Sequence, residues 1–205
     1  MTVWAVIVAA GSGDRFGGPK QYEPLGGRRV LDWSLGLARE ACDGVLLVVP
    51  RAYASDFEPG ADLVVAGGPT RSASVRAGLA ALPPEADLVL VHDAARPRAS
   101  LDLWDSVIAA LENGAEAVVP AVPVVDTLRL RGGGTADRSE FLSVQTPQGF
   151  TVAALKRAHA SGAESSDDAS LYEAIGGKVV VVDGETDNIK ITTPSDLVAL
   201  RAMSW

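Results

Sequence analysis

The sequence predicts an α/β fold built around a mostly parallel β-sheet. Short β-branched runs alternate along the chain with segments of helical periodicity, a pattern typical of β-α-β units. The first run, Val3–Ala9, is apolar throughout, as expected of a central strand that is buried on both faces. A glycine-rich loop follows this strand directly, and a helical segment follows the loop. These observations place the chain in the α/β class.

The first half of the chain continues this alternation. Pro50 and Pro83-Pro84 end the elements before them, because proline has no amide hydrogen to donate. Thr70 or Ser72 is the expected N-cap of the second helix. Further strands are predicted at Val45–Val49, Leu63–Ala66 and Leu88–Val91, with helices near Val30–Ala41 and Ser72–Leu82.

The second half begins with a helix that Ser100 caps and Asn113-Gly114 ends. Thr193 followed by Pro194 is a strong signal for the start of the last helix. The apolar residues of the first of these helices recur at helical spacing: Leu101, Trp104, Val107, Ile108 and Leu111. Between the two helices we predict a strand at Ala117–Val119, helices near Val152–Ser161 and Asp167–Ile175, and a strand at Lys178–Asp183.

Residues 123–148 differ from the rest of the chain. Val124–Arg131 and Phe141–Val144 are strand-like, and Gly132-Gly133-Gly134 between them is typical of a turn. We predict a hairpin arm that stands away from the sheet. With 205 residues, the chain is long enough for one domain and a small appendage. The elements together predict a single Rossmann-like three-layer sandwich over residues 1–205, with a mostly parallel sheet and a protruding β-hairpin arm.

Charge and composition exclude several classes of partner. The net charge of −8 argues against the broad basic surface that nucleic-acid phosphates require. The apolar runs are far shorter than the ~20 residues that cross a bilayer, and no basic stretch precedes the first of them. We therefore expect a cytoplasmic protein without nucleic-acid or membrane partners. Cys42, the only cysteine, excludes an internal disulfide.

Three polar segments each follow a predicted strand. They are Ala10–Lys20, His92–Arg98 and Gly184–Lys190. Ligands bind at the carboxyl ends of the strands in open parallel sheets, so we expect all three segments to open onto one edge. That convergence predicts a binding site.

The first polar segment has the features of a phosphate-binding loop. Glycines allow backbone amides to close around phosphate oxygens, and Arg15 and Lys20 would add charge-assisted bonds. The segment lacks the Gly-Lys-Ser/Thr of a Walker motif. A dinucleotide site is disfavoured, because the glycine spacing is wrong and Val49-Pro50-Arg51 provides no acidic residue for a ribose.

The second polar segment contains an aspartate directly after a buried strand. Asp93 is a candidate ligand for Mg²⁺, which prefers one or two carboxylates together with phosphate oxygens and water. The alternative is that Asp93 only pairs with Arg96. His92 is expected at the rim of the core, where it orients the loop without a catalytic role. His159 is expected on a solvated helix face.

Two further segments each allow a functional and a purely structural interpretation. In the third polar segment, alternation places Asn188, Lys190 and Thr192 on one side. Lys190 is either a site residue or a surface charge. In the glycine-containing segment after the strand Leu63–Ala66, Ser74 and backbone groups either contact a base edge or simply begin a helix.

Taken together, the motifs carry a resemblance that covers nearly the whole chain. They resemble the 2-C-methyl-D-erythritol 4-phosphate cytidylyltransferase family of the sugar nucleotidylyltransferase superfamily. The matching segments are AAGSGDRFGGPKQ at 9–21, GGPTRSASV at 67–75, HDAARP at 92–97, TPQ at 146–148 and DNIKIT at 187–192.

The resemblance implies attack by the 4-phosphate of methylerythritol phosphate on the α-phosphorus of CTP, with release of pyrophosphate. It implies that Arg15 and Lys20 stabilise the reacting phosphorus and the leaving pyrophosphate. Lys190 would lie near the α-phosphate, and Asp93 would hold Mg²⁺. The implied CTP contacts are Ala10, Gly11, Gly13, Gly68, Ser74 and Ala94.

The resemblance also implies a homodimer joined through the arm at residues 123–148. Thr127 and Arg138 would bind the substrate phosphate of the partner subunit, with Arg138 among the catalytic residues. Arg96 and Thr146 match further contacts to the polyol phosphate substrate. The chain departs from the family pattern in a shorter loop between Arg15 and Lys20, a shorter arm, and Pro69 beside the base.

Three other functions remain open from the sequence alone. A cytidylyltransferase acting on ribitol 5-phosphate, or another sugar-phosphate nucleotidylyltransferase, shares most of these motifs. A nucleotide-binding protein without activity is the second alternative. The combination of Arg15, Lys20, Asp93 and Lys190 favours an enzyme over a mere binder. A dinucleotide-dependent oxidoreductase is the third and least favoured.

Overall fold

The protein consists of an eight-stranded sheet with helices on both faces. The computed structural model describes residues 1–203. The strands are β1 Val3–Val8, β2 Pro24–Leu25, β3 Arg28–Arg29, β4 Gly44–Val49, β5 Leu63–Ala66, β6 Leu88–Asp93, β7 Ala117–Pro123, β8 Leu142–Val144, β9 Gln148–Thr151 and β10 Val180–Asp183. The helices are α1 Val30–Ala41, α2 Arg71–Ala81, α3 Leu101–Glu112, α4 Val152–His159, α5 Asp168–Ala174 and α6 Pro194–Arg201.

The large sheet has the strand order β10-β7-β9-β6-β1-β4-β5, and β8 pairs with β7 beside this path. β1 lies between β4 and β6 and is parallel to both, and the β4–β5 and β7–β10 pairs are also parallel. β9 is antiparallel to β6 and β7, and β8 is antiparallel to β7. The predicted mostly parallel sheet is therefore confirmed. The sequence does not predict β9, because four residues that include Gln148 and Gly149 have little strand signal.

Two hydrophobic clusters separate the sheet from its helices and confirm the three-layer, Rossmann-like sandwich. Alternate residues of β1 point to opposite faces, so Ala5 and Ile7 pack in one cluster and Val6 in the other. The first cluster includes the apolar faces of α1 and α3. The second includes those of α2, α4 and α5. Among residues 1–203, no helix is long and apolar enough to span a membrane.

The predicted helix starts are confirmed at the level of single hydrogen bonds. The Thr70 hydroxyl accepts the amide of Ala73 at 3.0 Å, so α2 begins after Thr70. The Ser100 hydroxyl accepts the amide of Leu103 at 3.1 Å and caps α3. At the start of α6, the carboxylate of Asp196 accepts the backbone amide of Thr193 at 2.7 Å and its hydroxyl at 3.0 Å. These caps depend on local sequence alone, which explains why pattern reading locates them.

The arm differs in detail from its prediction. Residues 124–131 do not form a strand; a single bridge between Arg129 and Thr135 joins the two limbs near the tip. Gly133 and Gly134, both with positive φ, form the predicted turn. At the base, β8 pairs with the end of β7. The arm is therefore a hairpin whose first limb is irregular, consistent with Asp126 in that limb and Pro123 directly before it.

A third, smaller cluster lies at the carboxyl edge of the sheet. Leu25 on the short β2–β3 hairpin, Ile191, and Leu197 and Leu200 on α6 are all buried in it. The amide of Ile191 donates to the carbonyl of Ala95 at 2.8 Å. This cluster joins the end of the chain to the loop after β6, and it thereby holds residues 187–192 beside the strand ends.

The two histidines are both buried, one as predicted and one not. Burial of His92 at the end of β6 confirms its expected place: Nε2 donates to the carbonyl of Arg96, and Nδ1 accepts from the hydroxyl of Thr146, each at 3.1 Å. The solvated position predicted for His159 is wrong. His159 packs under α5 and donates to the buried carboxylate of Asp168 at 2.9 Å. The sequence gives no signal for this contact, because Asp168 is not a local neighbour of His159.

Burial couples His92 to the stability of the fold. It lowers the pKa of His92 from 6.5 to about 4, since the apolar surroundings disfavour the charged imidazolium. Between these values the unfolded chain binds a proton that the folded chain does not. The free energy of unfolding therefore falls as the pH drops through this range, by about 3 kcal/mol in all.

We expect replacement of His92 by glutamine to flatten this pH dependence. Urea unfolding at about pH 7 and about pH 4.5 should show that the wild type loses about 2 kcal/mol more than His92→Gln over the interval. The carboxylates titrate in both proteins, so the difference between them isolates His92. Equal losses in the two proteins would contradict the assignment.

Candidate active site

The three polar segments meet in one cleft of about 630 Å³ at the carboxyl edge of the sheet. The cleft lies above the ends of β1 and β6, where the loop before α2 also reaches it. Ten of the residues predicted for the site line this cleft: Ala10, Gly11, Gly13, Arg15, Lys20, Gly68, Ser74, Asp93, Ala94 and Lys190. The predicted convergence is therefore present in the fold.

The glycine-rich loop presents amides to the cleft. The carbonyl of Gly13 accepts the amides of Phe16, Gly17 and Gly18, which closes a tight turn. Within the described part of the chain, the amides of residues 11–15 donate to no protein group. A row of free amides of this kind attracts anions. The buried side chain of Gln21 supports the loop by donating to the carbonyl of Ala9 at 2.8 Å.

Gly13 has a backbone that only glycine adopts easily. Its φ is +74°, and a Cβ built there would lie 1.8 Å from the carbonyl oxygen of Gly18. The positive φ and the close carbonyl oxygen both exclude a side chain at this position. Any residue other than glycine would therefore force the loop open.

Asp93 is the electrostatic centre of the cleft. It is the last residue of β6 and is only 7% exposed. Its Oδ1 accepts from Nε of Arg71 at 3.1 Å, and its Oδ2 accepts from Nζ of Lys190 at 2.5 Å. Burial alone would raise the pKa of this carboxyl, but the positive charges of Arg71 and Lys190 outweigh burial and hold the pKa far below its usual value. Asp93 is therefore charged throughout the physiological range.

The alternative pairing of Asp93 with Arg96 is wrong at the level of side chains. The guanidinium of Arg96 instead donates to the carbonyls of Asn188 at 2.7 Å and Val144 at 3.3 Å. Only the backbone amide of Arg96 contacts Asp93, by donating to its carbonyl at 2.9 Å. The carboxylate of Asp93 is thus left for partners inside the cleft.

Cations crowd the other side of the cleft. Partial burial lowers the pKa of Lys20, and the positive charges of Lys190 and Arg15 lower it further. The positive charges of Arg15, Lys20 and Lys190 therefore repel one another. An anion bound among Arg15, Lys20 and Lys190 would relieve that repulsion.

The segment that carries Lys190 is held by buried hydrogen bonds. The side-chain amide of Asn188 donates to the carbonyl of Thr146 at 2.9 Å and to Oε1 of Gln145 at 3.2 Å. Asn188 is itself buried, and residues 187–192 are not a regular strand. The alternation predicted for this segment therefore does not describe it, although Lys190 does face the cleft.

A second cavity of about 390 Å³ adjoins the first and shares Arg71, Asp93 and Lys190 with it. Arg96 and Thr146, predicted to contact the acceptor, line this second cavity. The hydroxyl of Thr146 is already engaged by His92 and by the amide of Asp93. Two adjoining cavities with a shared wall of charged side chains suit two phosphorylated ligands that meet at the wall.

The residues before α2 support the cleft through one hydroxyl. Ser74 is buried, accepts the amide of Gly68 at 3.2 Å and donates to the carbonyl of Thr70 at 2.9 Å. The side chain of Ser74 thus shapes the turn that faces the cleft. Its contact to a base stays a prediction.

Two predicted residues lie outside both cavities. Thr127 and Arg138 are on the arm, and neither lines the cleft of the same chain. The guanidinium of Arg138 instead donates to the carbonyl of Val125. Their predicted contact with a partner subunit's substrate remains a prediction.

Sequence reasoning misses two residues that the cleft depends on. Arg71 belongs to one of the motifs but has no role assigned from the sequence, and the structure makes it one of two cations on Asp93. Gln21 looks like an ordinary polar residue, yet it is buried under the loop. The sequence offers a signal for both residues, since Gln21 and Arg71 each lie in a segment that matches the family.

The residues of the cleft fit a divalent cation that takes most of its ligands from phosphate oxygens and water. Among residues 1–203, no group of three or more His, Cys, Asp or Glu side chains could hold a metal. Two carboxylate residues, Asp14 and Asp93, line the cleft, and both oxygens of Asp93 accept from cations. This set suits Mg²⁺, which commonly takes one or two carboxylates and completes its shell with phosphate oxygens and water.

Fold and site together define an α/β protein with an anion-binding cleft at the carboxyl edge of its sheet. The model of the family described as 2-C-methyl-D-erythritol 4-phosphate cytidylyltransferase matches residues 3–203. The chain belongs to this family.

Individual relatives agree with this assignment. The chain is 44% identical to "2-C-methyl-D-erythritol 4-phosphate cytidylyltransferase" of Rhodococcus opacus (strain B4), over 98% of this chain and 94% of the relative. The crystal structure of the enzyme of that name from Thermus thermophilus superposes with a TM-score of 0.87 at 41% identity, covering 98% of each chain.

Some relatives are longer. The chain is 44% identical to "Bifunctional enzyme IspD/IspF" of Nitratidesulfovibrio vulgaris (strain DP4), where 98% of this chain matches 58% of the relative. The chain therefore spans little more than half the length of the bifunctional relatives it matches.

We expect Gly13→Ala to damage the cleft while Gly36→Ala does not. Gly36 lies on the exposed side of α1, where an added Cβ meets no atom within 4 Å. Alanine at Gly36 should stabilise the fold by up to about 1 kcal/mol through helix propensity. Alanine at Gly13 should weaken CTP binding at least about tenfold because the loop must open. Titration calorimetry with CTP tests this, and equal affinities in the two variants would refute the role of the turn.

Proposed function

We propose that the chain transfers the cytidylyl group of CTP to 2-C-methyl-D-erythritol 4-phosphate and releases pyrophosphate. The product is the cytidine diphosphate derivative of methylerythritol, in non-mevalonate isoprenoid precursor biosynthesis. One observation carries the proposal: Arg15, Lys20, Asp93 and Lys190, which are far apart in sequence, all line one cleft. Membership of the family supports the choice of CTP and of the acceptor.

The triphosphate binds along the glycine-rich loop. The free amides of residues 11–15 donate to phosphate oxygens, and Arg15 and Lys20 add positive charge. The pyrophosphate leaves with its charge already compensated there. Catalysis of this type requires positioning and charge stabilisation rather than a covalent intermediate. The remaining CTP contacts are proposed at Ala10, Gly68, Ser74 and Ala94.

The reaction itself takes place between the two cavities. A phosphate oxygen of the acceptor attacks the α-phosphorus of CTP, the new P–O bond forms, and the bond to the pyrophosphate oxygen breaks. Lys190 lies on the shared wall of both cavities and stabilises the negative charge on the reacting phosphorus. Asp93 would hold Mg²⁺, which when bound would neutralise charge on the triphosphate.

The acceptor lies in the second cavity against Arg96 and Thr146. We propose that two chains form a homodimer through the arm at residues 123–148, with Thr127 and Arg138 reaching the acceptor phosphate of the partner. The exposed apolar side chains of the arm, Val125, Leu130, Phe141 and Leu142, support an interface there. Residues 1–205 act as a single nucleotidyltransferase domain. The cytoplasmic location predicted from the sequence stays a prediction.

The decisive experiment is product analysis. The purified chain, CTP and Mg²⁺ are incubated with methylerythritol phosphate or with ribitol 5-phosphate, and products are identified by mass spectrometry. We expect the cytidine diphosphate adduct of methylerythritol, and a higher kcat/KM for that acceptor. A preference for ribitol 5-phosphate would refute the proposed acceptor, and CTP binding without pyrophosphate release would refute the proposed activity.

Lys190→Ala should lower kcat/KM at least a hundredfold, or about 2.7 kcal/mol of transition-state stabilisation. The cause is loss of the positive charge on the wall between the cavities. Lys156→Ala, which removes an exposed lysine from α4, is the matched control and should leave kcat/KM unchanged. A loss of less than about threefold in Lys190→Ala would remove this lysine from the mechanism.

Mixed dimers test the role of the arm. Arg138→Ala and Asp93→Ala should each be nearly inactive, the first mainly through a higher KM for the acceptor. If Arg138 serves the partner's site, subunit exchange creates dimers with one intact site, and about a quarter of wild-type activity returns. A mixture that has exchanged subunits but stays inactive would show that the arm serves its own chain.

A further inference from the structure

A fully buried carboxylate lies behind the cleft, outside every motif of the family resemblance. Asp168 is the first residue of α5 and has no exposed surface. Its Oδ2 accepts from Nη1 of Arg71 at 2.6 Å, and its Oδ1 accepts from Nε2 of His159 at 2.9 Å. A buried carboxylate needs such partners, because leaving one unpaired costs several kcal/mol.

Arg71 connects this carboxylate to the cleft. Its Nη1 faces Asp168, while its Nε faces Asp93 at 3.1 Å. Two carboxylates on different edges of one planar guanidinium determine both its position and its orientation. Arg71 also lines both cavities. Asp168, which lines neither cavity, therefore sets the orientation of Arg71 at the junction of the two cavities.

His159 completes the arrangement from the far side. A carboxylate only accepts hydrogen bonds, so Nε2 of His159 must carry the proton. Its Nδ1 is buried and has no hydrogen-bond partner among the described residues, so the contact of Nε2 with Asp168 is the one that holds the ring. His159 thus fixes the Oδ1 side of Asp168, while Arg71 contacts the Oδ2 side.

The charges alternate along the whole row. Asp168 and Asp93 are negative, and Arg71 between them and Lys190 at the end are positive. Burial lowers the pKa of Arg71, but the two carboxylates outweigh burial and raise the pKa above its usual value. Removal of the charge of Asp168 would leave Arg71 bound to Asp93 alone and free to rotate about that contact.

We propose that Asp168, held by His159, is a positioning residue that orients Arg71 for the transfer reaction. The inference rests on the proposed function, because the orientation of Arg71 matters only if both cavities are used. Asp168 touches neither nucleotide nor acceptor and acts through Arg71. The role differs from a structural one, since it predicts coupling to Arg71 rather than a general loss of stability.

The first test is a double-mutant cycle on kcat/KM. Asp168→Asn keeps the shape of the side chain and removes its charge, and we expect a loss of at least about tenfold. In an Arg71→Lys background the same change should cost less than about threefold, because the group it orients is gone. Glu173→Gln, on the exposed face of α5, is the matched control and should have no effect. Additive losses in the cycle would overturn the proposal.

The second test uses His159 and remains available if Asp168→Asn does not fold. Glutamine can present an N–H near the position of Nε2, whereas leucine fills the space without a donor. We expect His159→Gln to keep kcat/KM within about threefold of the wild type and His159→Leu to lose about tenfold. Equal activities of the two variants, at equal melting temperatures, would overturn the role of His159.

A crystal structure of the nucleotide-free Asp168→Asn variant, or of His159→Leu if that variant alone folds, separates this inference from the proposed function. If the wild type forms no pyrophosphate, the proposed function fails, yet the structure still reports the orientation of Arg71. The guanidinium should turn away from its position between Asp93 and residue 168. An unchanged guanidinium would overturn the inference whatever the activity of the wild type.

Discussion

The charge of Asp93 must be compensated because the carboxylate is largely buried, and the layout of the cleft depends on this compensation. The carboxylate lies at the end of the central strand β6, beside the end of β1, where little of it is exposed and it lines both cavities. A buried ion without partners is strongly unfavourable, so cations must come to it. Both partners are distant in sequence, since Arg71 is 22 residues and Lys190 is 97 residues away from Asp93. The carboxylate therefore holds the start of α2 and the segment before α6 against the same strand end.

Features that depend on short stretches of sequence could be predicted. The apolar run of β1, the cap at Ser100 and the proline after Thr193 each specify local structure through a few neighbouring residues. The edge at which the site lies could also be predicted, because strand direction alone brings the loops after β1 and β6 together. Arg15, Lys20, Asp93 and Lys190 could be predicted as site residues from these loops and from the family motifs.

Features that depend on distant partners could not be predicted. His159 occupies a helix position that looks solvated, and only the packing of α5 against α4 buries it beside Asp168. The role of Arg71 likewise depends on two carboxylates in other elements. Strand β9 is stabilised by neighbours on both sides rather than by its own residues. In each case the deciding contact joins parts of the chain that sequence patterns treat separately.

The acidic composition of the chain and its cationic cleft are compatible because the charges are separated in space. The net charge of −8 belongs to the whole chain, whereas Arg15, Lys20, Arg71 and Lys190 all face one cleft. Low-dielectric walls concentrate the field of these side chains inside the cleft, and the excess of carboxylates lies elsewhere. Asp93 neutralises part of this positive charge through its ion pairs with Arg71 and Lys190. A triphosphate bound in this cleft would compete for the same cations, so its binding would have to rearrange the ion pairs of Asp93.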